Sequence, residues 1–240
     1  VLQDKYGLVW AATEHGLNCF DGLSVTAYRY DPNDSSSIGA NYVSQILEGP
    51  DGDIWAILGV GGVSRFSRKT RGFTFYHSEF QDSSGASEFL RDLSWGDEGS
   101  IWMCSRGGLG FAHKGSSHFH EIPFPDGKTC QIYHVVWYRH SVFCATSQGV
   151  WRYWPDDKHW ESMVQGSLQE VVHHIYLDQT GQLWFLGVES GLMRYDDEKN
   201  ELRTVLEQET KEPFLDINGM FIHPKDSVLW WSDSKKGLFN

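Results

Sequence analysis

A glycine, two residues further an apolar position and then an aromatic recur along this chain, and that period constrains its fold more than any other feature. The copies are Gly7-Leu8-Val9-Trp10, Gly52-Asp53-Ile54-Trp55, Gly99-Ser100-Ile101-Trp102, His140-Ser141-Val142-Phe143, Gly181-Gln182-Leu183-Trp184 and Ser227-Val228-Leu229-Trp230. Successive aromatic positions lie 45, 47, 41, 41 and 46 residues apart. A period of this size marks one supersecondary unit repeated in space.

A second landmark keeps step with the first: Gly16-Leu17, Gly62-Val63, Gly108-Leu109, Gly149-Val150, Gly191-Leu192 and Gly237-Leu238. The two landmarks bracket a short apolar strand and open another, so the residues between them form a hairpin whose glycine supplies positive φ. A more polar, alternating strand follows, as in Ser24-Val25-Thr26-Ala27-Tyr28, and an apolar strand precedes each first landmark, as in Tyr42-Val43-Ser44-Gln45-Ile46. Each repeat therefore reads as four strands. Such a unit has two apolar faces, and stacking units face to face around an axis buries both. The predicted fold is all-β: a β-propeller of four-stranded antiparallel blades, with about six repeats present. A helical solenoid fails, because the segments alternate with period 2 and are too short.

The repeats run over about 1–30, 41–76, 88–120, 131–160, 171–204 and 216–240. The first begins within a repeat, and the last stops at Gly237-Leu238-Phe239-Asn240, before an outer strand. The expectation is an incomplete seven-bladed ring, with residues 1–240 forming a single propeller segment of a longer, multidomain parent.

Composition agrees. Eleven Trp, ten Tyr and fourteen Phe supply strand formers, and 25 Gly supply turns. A formal charge of −12 repels phosphate backbones, which argues against nucleic-acid contact. Cys19, Cys104, Cys130 and Cys144 lack metal-ligand spacing and are too few for a disulfide scaffold, so they read as buried thiols.

The pattern D-x-x-G-x-apolar-W-x-x-T, followed by G-L and an aromatic, resembles the two-component-regulator propeller repeat. Asp4 through Thr13 with Gly16-Leu17-Asn18-Cys19-Phe20-Asp21 is a near-complete match, and Asp178 through Trp184 with Gly191-Leu192-Met193-Arg194-Tyr195-Asp196 is another. Asn41-Tyr42-Val43, after Ser35-Ser36-Ser37-Ile38, is similar to the family's approach to the next blade. The fourth copy departs, with His140 and Phe143 for Gly and Trp, and the sixth has Ser227 for Gly.

The resemblance implies a periplasmic sensor domain of a hybrid two-component histidine kinase and response regulator, of a kind often tied to polysaccharide use. It implies a parent anchored in the inner membrane, with two propellers, a kinase and a DNA-binding output outside this chain. The expected partners are a small-molecule ligand such as an oligosaccharide, a neighbouring propeller or other domain of the parent, and a second copy through the parent.

The recurring aromatics read as core, because a structural role needs sameness in every blade. The hairpin tips differ from blade to blade: Glu14-His15, Gly59-Val60-Gly61, Ser105-Arg106-Gly107, Ser147-Gln148, Glu189-Ser190 and Ser234-Lys235-Lys236. All open on one face of a propeller, and charged and amide groups there suit a hydroxyl-rich ligand. Glu14, His15, Arg106, Gln148 and Glu189 are the candidate ligand-binding residues. The connections from Asp31 to Ala40, His77 to Glu88 and Glu207 to Pro213 open on the same face, and their Asp, Ser and Gly content reads as flexible.

Two rivals stand beside the sensor reading. One is a protein-docking scaffold. The other is a propeller glycosidase, for which Asp97-Glu98-Gly99-Ser100-Ile101-Trp102 matches half of a sialidase-type box, itself a structural motif. No pair of carboxylates stands out as a catalytic acid and base. His118 with His120, and His173 with His174, gather no third ligand in sequence. No catalytic residue, metal site or cofactor is predicted.

Overall fold

A computed structural model of the chain describes residues 1–59, 61–78, 90–125, 130–163, 170–206, 217–222, 229–233 and 237–239. Among the described residues the regular secondary structure is β apart from one 3-10 turn, Asp97–Gly99, and the strands divide between two compact units, residues 1–123 and 124–240.

The first unit carries three blades. Blade one is β1 (Leu2–Gln3), β2 (Val9–Thr13), β3 (Gly16–Phe20) and β4 (Val25–Tyr28). Blade two is β5 (Val43–Glu48), β6 (Ile54–Leu58), β7 (Gly62–Ser67) and β8 (Gly72–Ser78). Blade three is β9 (Leu90–Trp95), β10 (Ile101–Ser105), β11 (Leu109–Ala112) and β12 (His118–Ile122). In each, strands neighbour one another in sequence order and pair antiparallel, as the four-stranded reading requires.

One pairing was not foreseen. The outer strands of blades two and three meet in a short parallel contact, His118 opposite His77 and Phe119 opposite Ser78, which joins the two blades into one eight-stranded sheet. Outer strands carry unpaired backbone groups, and here two such edges satisfy one another.

The second unit holds β13 (Ile132–Tyr138), β14 (Ser141–Thr146), β15 (Gly149–Trp154) and β16 (His159–Ser162); then β17 (Val172–Leu177), β18 (Leu183–Gly187), β19 (Gly191–Asp196) and β20 (Glu201–Leu206). A sheet of β21 (Ile217–Ile222), β22 (Leu229–Asp233) and β23 (Gly237–Phe239) completes the described residues.

The cores lie between blades. Trp10, Leu17, Ile54, Ala56 and Phe66 form one between blades one and two, and Trp55, Ile57, Leu93, Met103 and Phe119 another between blades two and three. In the second unit Phe143, Val150, Ile175, Phe185 and Tyr195 join the fourth blade to the fifth. Trp10, Trp55, Trp102 and Phe143 are all buried, as core aromatics should be. Trp184 departs from this: it is half-buried, and its neighbour Phe185 occupies the fully buried position.

The repeat signature has a physical cause. The carboxylate of Asp4 accepts the backbone N–H groups of Tyr6 and Leu8, each at 2.9 Å, and the indole Nε1–H of Trp10 at 2.7 Å. Asp178 does the same for Thr180, Gln182 and Trp184, each bond at 2.9 Å. Each aspartate thus closes the turn between first and second strands and holds the landmark indole. Gly7 and Gly181 complete those turns at φ +85° and +82°, a region that disfavours any side chain.

Candidate functional site

The tips sit where the second strand of each blade turns into the third. In blade one the Thr13 hydroxyl accepts the His15 N–H at 3.1 Å and donates to the Gly16 carbonyl at 2.7 Å. Thr146 repeats this on Gln148 and Gly149, at 3.0 and 2.8 Å, and Ser105 accepts the Gly107 N–H at 3.0 Å. A side chain at Gly16 would place its Cβ 2.2 Å from the Tyr28 carbonyl, so glycine is required where the tip backbone crosses the outer strand. The expected positive φ holds at Gly16, Gly149 and Gly191, whereas in blade two it falls on Gly61 rather than Gly62.

The fifth blade uses a different brace. Glu170 is buried, and one carboxylate oxygen accepts the N–H of Glu189 at 2.9 Å and of Ser190 at 2.8 Å, while the other accepts the Ser190 hydroxyl. The tips are therefore fixed in their backbones and free in their side chains. Glu14, His15, Arg106 and Glu189 are exposed and Gln148 is half-buried. None of these five bonds to another among the described residues. Glu14 and His15 share the first tip, and the other three each stand at a tip of their own. The Gly59-Val60-Gly61 tip is described only at its glycines, and Ser234-Lys235-Lys236 lies outside the described residues.

The connection from Asp31 to Ala40 differs from its flexible reading. Asp31 accepts the Asn33 N–H at 2.8 Å, the Ser37 hydroxyl accepts the Asp31 N–H at 3.0 Å, and Ile38 is fully buried. Gly39 N–H donates to the Ser64 hydroxyl at 2.9 Å, and Phe73 N–H to the Ser36 carbonyl at 2.8 Å. A segment so tied is part of the frame. The Asn41 side chain then accepts the Tyr30 N–H at 2.9 Å and its carbonyl the Gly16 N–H at 2.7 Å, which explains the asparagine in the approach to the next blade. Residues 79–88 of the second connection, and all of 207–213, lie outside the described residues.

The tip ends hold a feature that sequence reading missed. In blades two to six the register of the first strand slips by one residue against the end of the second, at Ser44, Arg91, Tyr133, His173 and Asn218. Bulges re-aim side chains beside functional surfaces, and these five residues all differ, as the tips do. In the second unit the rings of Tyr133 and His173 lie 4.7 Å apart, and those of His134 and His174 5.4 Å apart. All four are half-buried. The signal available in sequence was the variable residue inside each otherwise apolar first strand.

Among the described residues no three His, Cys, Asp or Glu side chains stand close enough to hold a metal ion. His118 instead lies against His77, rings 6.1 Å apart. All four cysteines are free and buried, and burial pushes the Cys144 and Cys19 thiols up, away from reactive thiolate. No helix among the described residues is long and apolar enough to cross a membrane.

No family model matches the chain, and no curated protein matches it. Solved structures do. The extracellular domain of a hybrid two-component system from B. thetaiotaomicron aligns over 99% of this chain with TM-score 0.70 and 19% identity. A virginiamycin B lyase from Staphylococcus aureus aligns over 99% with TM-score 0.69 and 14% identity, and a β-propeller domain from Myceliophteria thermophila over 82% with 0.59 and 13%. The chain spans 32% of the first of these proteins, 77% of the second and 64% of the third. At such identities the likeness concerns architecture, and with the repeated four-stranded antiparallel sheets it makes the chain a β-propeller.

Proposed function

We propose that this chain is the ligand-sensing propeller of a hybrid two-component signalling protein, that it takes an oligosaccharide on the tip face, and that it passes the bound state to a kinase elsewhere in the parent. One observation carries the reading: tips whose backbones are braced in blades one, three, four and five present residues that differ from tip to tip, as do the neighbouring bulges. Glu14, His15, Arg106, Gln148 and Glu189 supply charged and amide groups, and Tyr133 with His173 adds half-buried rings against which a sugar face packs. The likeness to an extracellular two-component domain supports the same reading and a periplasmic location. Signalling further requires that the ligand favour one of two states of the parent.

Calorimetric titration of the chain with neutral oligosaccharides tests this. Saturable heat without product, lost on Glu14→Ala with Arg106→Ala or on Gln148→Ala with Glu189→Ala, is the expected outcome. Silence across the panel would favour a protein-docking face. Sugar cleavage would refute the non-enzymatic reading.

A further inference from the structure

The blade seams of the first unit differ at one place, away from the tips. Between blades one and two, Arg68 reaches back to Asp4, whose carboxylate also holds Trp10. Its guanidinium lies 4.7 Å from the Tyr6 ring centre and 5.7 Å from that of Trp10. That seam is plugged.

Between blades two and three each part of the plug is replaced. Gly49 stands at the position of Asp4, Asp51 at that of Tyr6 and Lys114 at that of Arg68, counted from the repeat glycines. The result is a cavity of about 180 Å³, walled by Trp55, Tyr76 and Trp95 and rimmed by Asp51, Arg65 and Lys114. At ~30 Å³ of liquid volume per water, it holds about six waters, the bulk of one six-membered sugar ring.

Its chemistry is specific. Trp55 is only 3% exposed, and its Nε1–H, like that of Trp95, has no hydrogen-bond partner. Gly49 offers no carboxylate: a Cβ there would already stand 2.7 Å from Trp55 Nε1. Arg65 is held by Asp51 and by Asp53, the latter at 2.9 Å, one cation between two carboxylates, and Lys114 has no ion-pair partner among the described residues. Aromatic walls set at angles (Trp55 to Tyr76 43°, Trp55 to Trp95 74°) accept the C–H face of a ring, while the rim supplies donors and an acceptor.

We infer that this seam cavity is a second binding site, for one neutral polyhydroxylated ring of pyranose size. The ring packs on the aromatic walls, and Lys114 and Asp51 on the rim bond its hydroxyls. An anionic ligand fits less well, because Asp51 lies on the rim, its partner Arg65 is already shared with Asp53, and Asp97 and Glu98 precede Gly99 on the adjoining turn. The inference is independent of the tip-face reading, since the two sites occupy opposite ends of the second strand.

The test is to follow the indole N–H resonances of the chain during titration with neutral methyl pyranosides and, separately, with a uronate. Saturable shifts of the Trp55 and Trp95 signals, assigned by Trp→Phe replacement, are expected with the neutral sugars. The double variant Asp51→Tyr/Lys114→Arg, which copies the Tyr6 and Arg68 of the first seam, should abolish those shifts, whereas Glu14→Ala at a tip should leave them intact. Should the double variant fail to fold, Asp51→Ala/Lys114→Ala changes only exposed side chains and should weaken the shifts at least about fivefold, the loss of one net hydrogen bond. Absence of saturable shifts with every neutral pyranoside, shifts confined to the uronate, or shifts unaltered in the folded cavity variants would overturn the inference.

Discussion

The aspartate of the repeat signature is where a single residue has the widest consequence. Burial alone would raise the Asp4 carboxyl, but the bonds from Trp10, Arg68, Leu8 and Tyr6 outweigh it and hold it below its ordinary value, and the same balance lowers Asp178. A lowered carboxyl contributes stability that is present above its ordinary value of 3.8 and is lost as pH falls through the folded-state value. Urea midpoints measured downward from pH 6 should therefore be level to about pH 4 and then fall. In the Asp4→Asn variant that acid slope should be shallower. Asp4→Ala should cost about 1–3 kcal/mol at neutral pH, because it strands the Trp10 indole N–H and the Arg68 guanidinium together. Sequence comparison displayed this residue through its recurrence at Asp4 and Asp178. It could not display why Gly49 and Gly96 stand at the same place, because the meaning of a missing carboxylate depends on what a neighbouring blade puts beside it.

At the scale of the blade, strand order and hairpin positions were legible because two glycine landmarks per repeat fix both ends of the second strand. The bulges were not, since a register slip is a property of a pair of strands and leaves no composition of its own. Nor was the burial of each landmark aromatic: a period-2 pattern says which face a residue takes, while the following blade decides how well that face is covered. Trp10 is covered by Phe66, rings 5.4 Å apart, and Phe143 by Phe185 and Tyr195, at 5.9 and 4.9 Å. Phe143→Ala should accordingly cost about 3–5 kcal/mol in equilibrium unfolding, and Trp184→Ala, at a half-buried position, distinctly less. Equal losses at the two sites would show that the landmark position packs alike in every blade. The Glu170 brace offers a sharper comparison. Glu170→Ala leaves the Glu189 and Ser190 N–H groups without their acceptor, so amide exchange at those two residues should quicken, while the Thr146-braced tip of the fourth blade keeps its protection.

At the scale of the whole chain, the propeller could be read from the period alone, whereas the choice among sensor, scaffold and enzyme could not, because identical frames carry unrelated sites. What the molecule adds is a division of labour along each blade. Asp4, Asp178, Thr13, Thr146 and Glu170 make the frame, and the exposed tip residues touch little of it. Replacing Glu14, His15, Arg106 and Glu189 by alanine together should then shift stability by no more than about 0.5 kcal/mol per site, measured by chemical unfolding. The formal charge of −12 sets the sign of the companion measurement. A chain that repels polyanions should take neutral oligosaccharides with an affinity indifferent to salt and give no saturable signal with duplex DNA even at low ionic strength. Affinity for neutral sugars that falls steeply with added salt would mean that long-range charge, rather than short-range hydrogen bonding and ring packing at the tips and seam, dominates recognition.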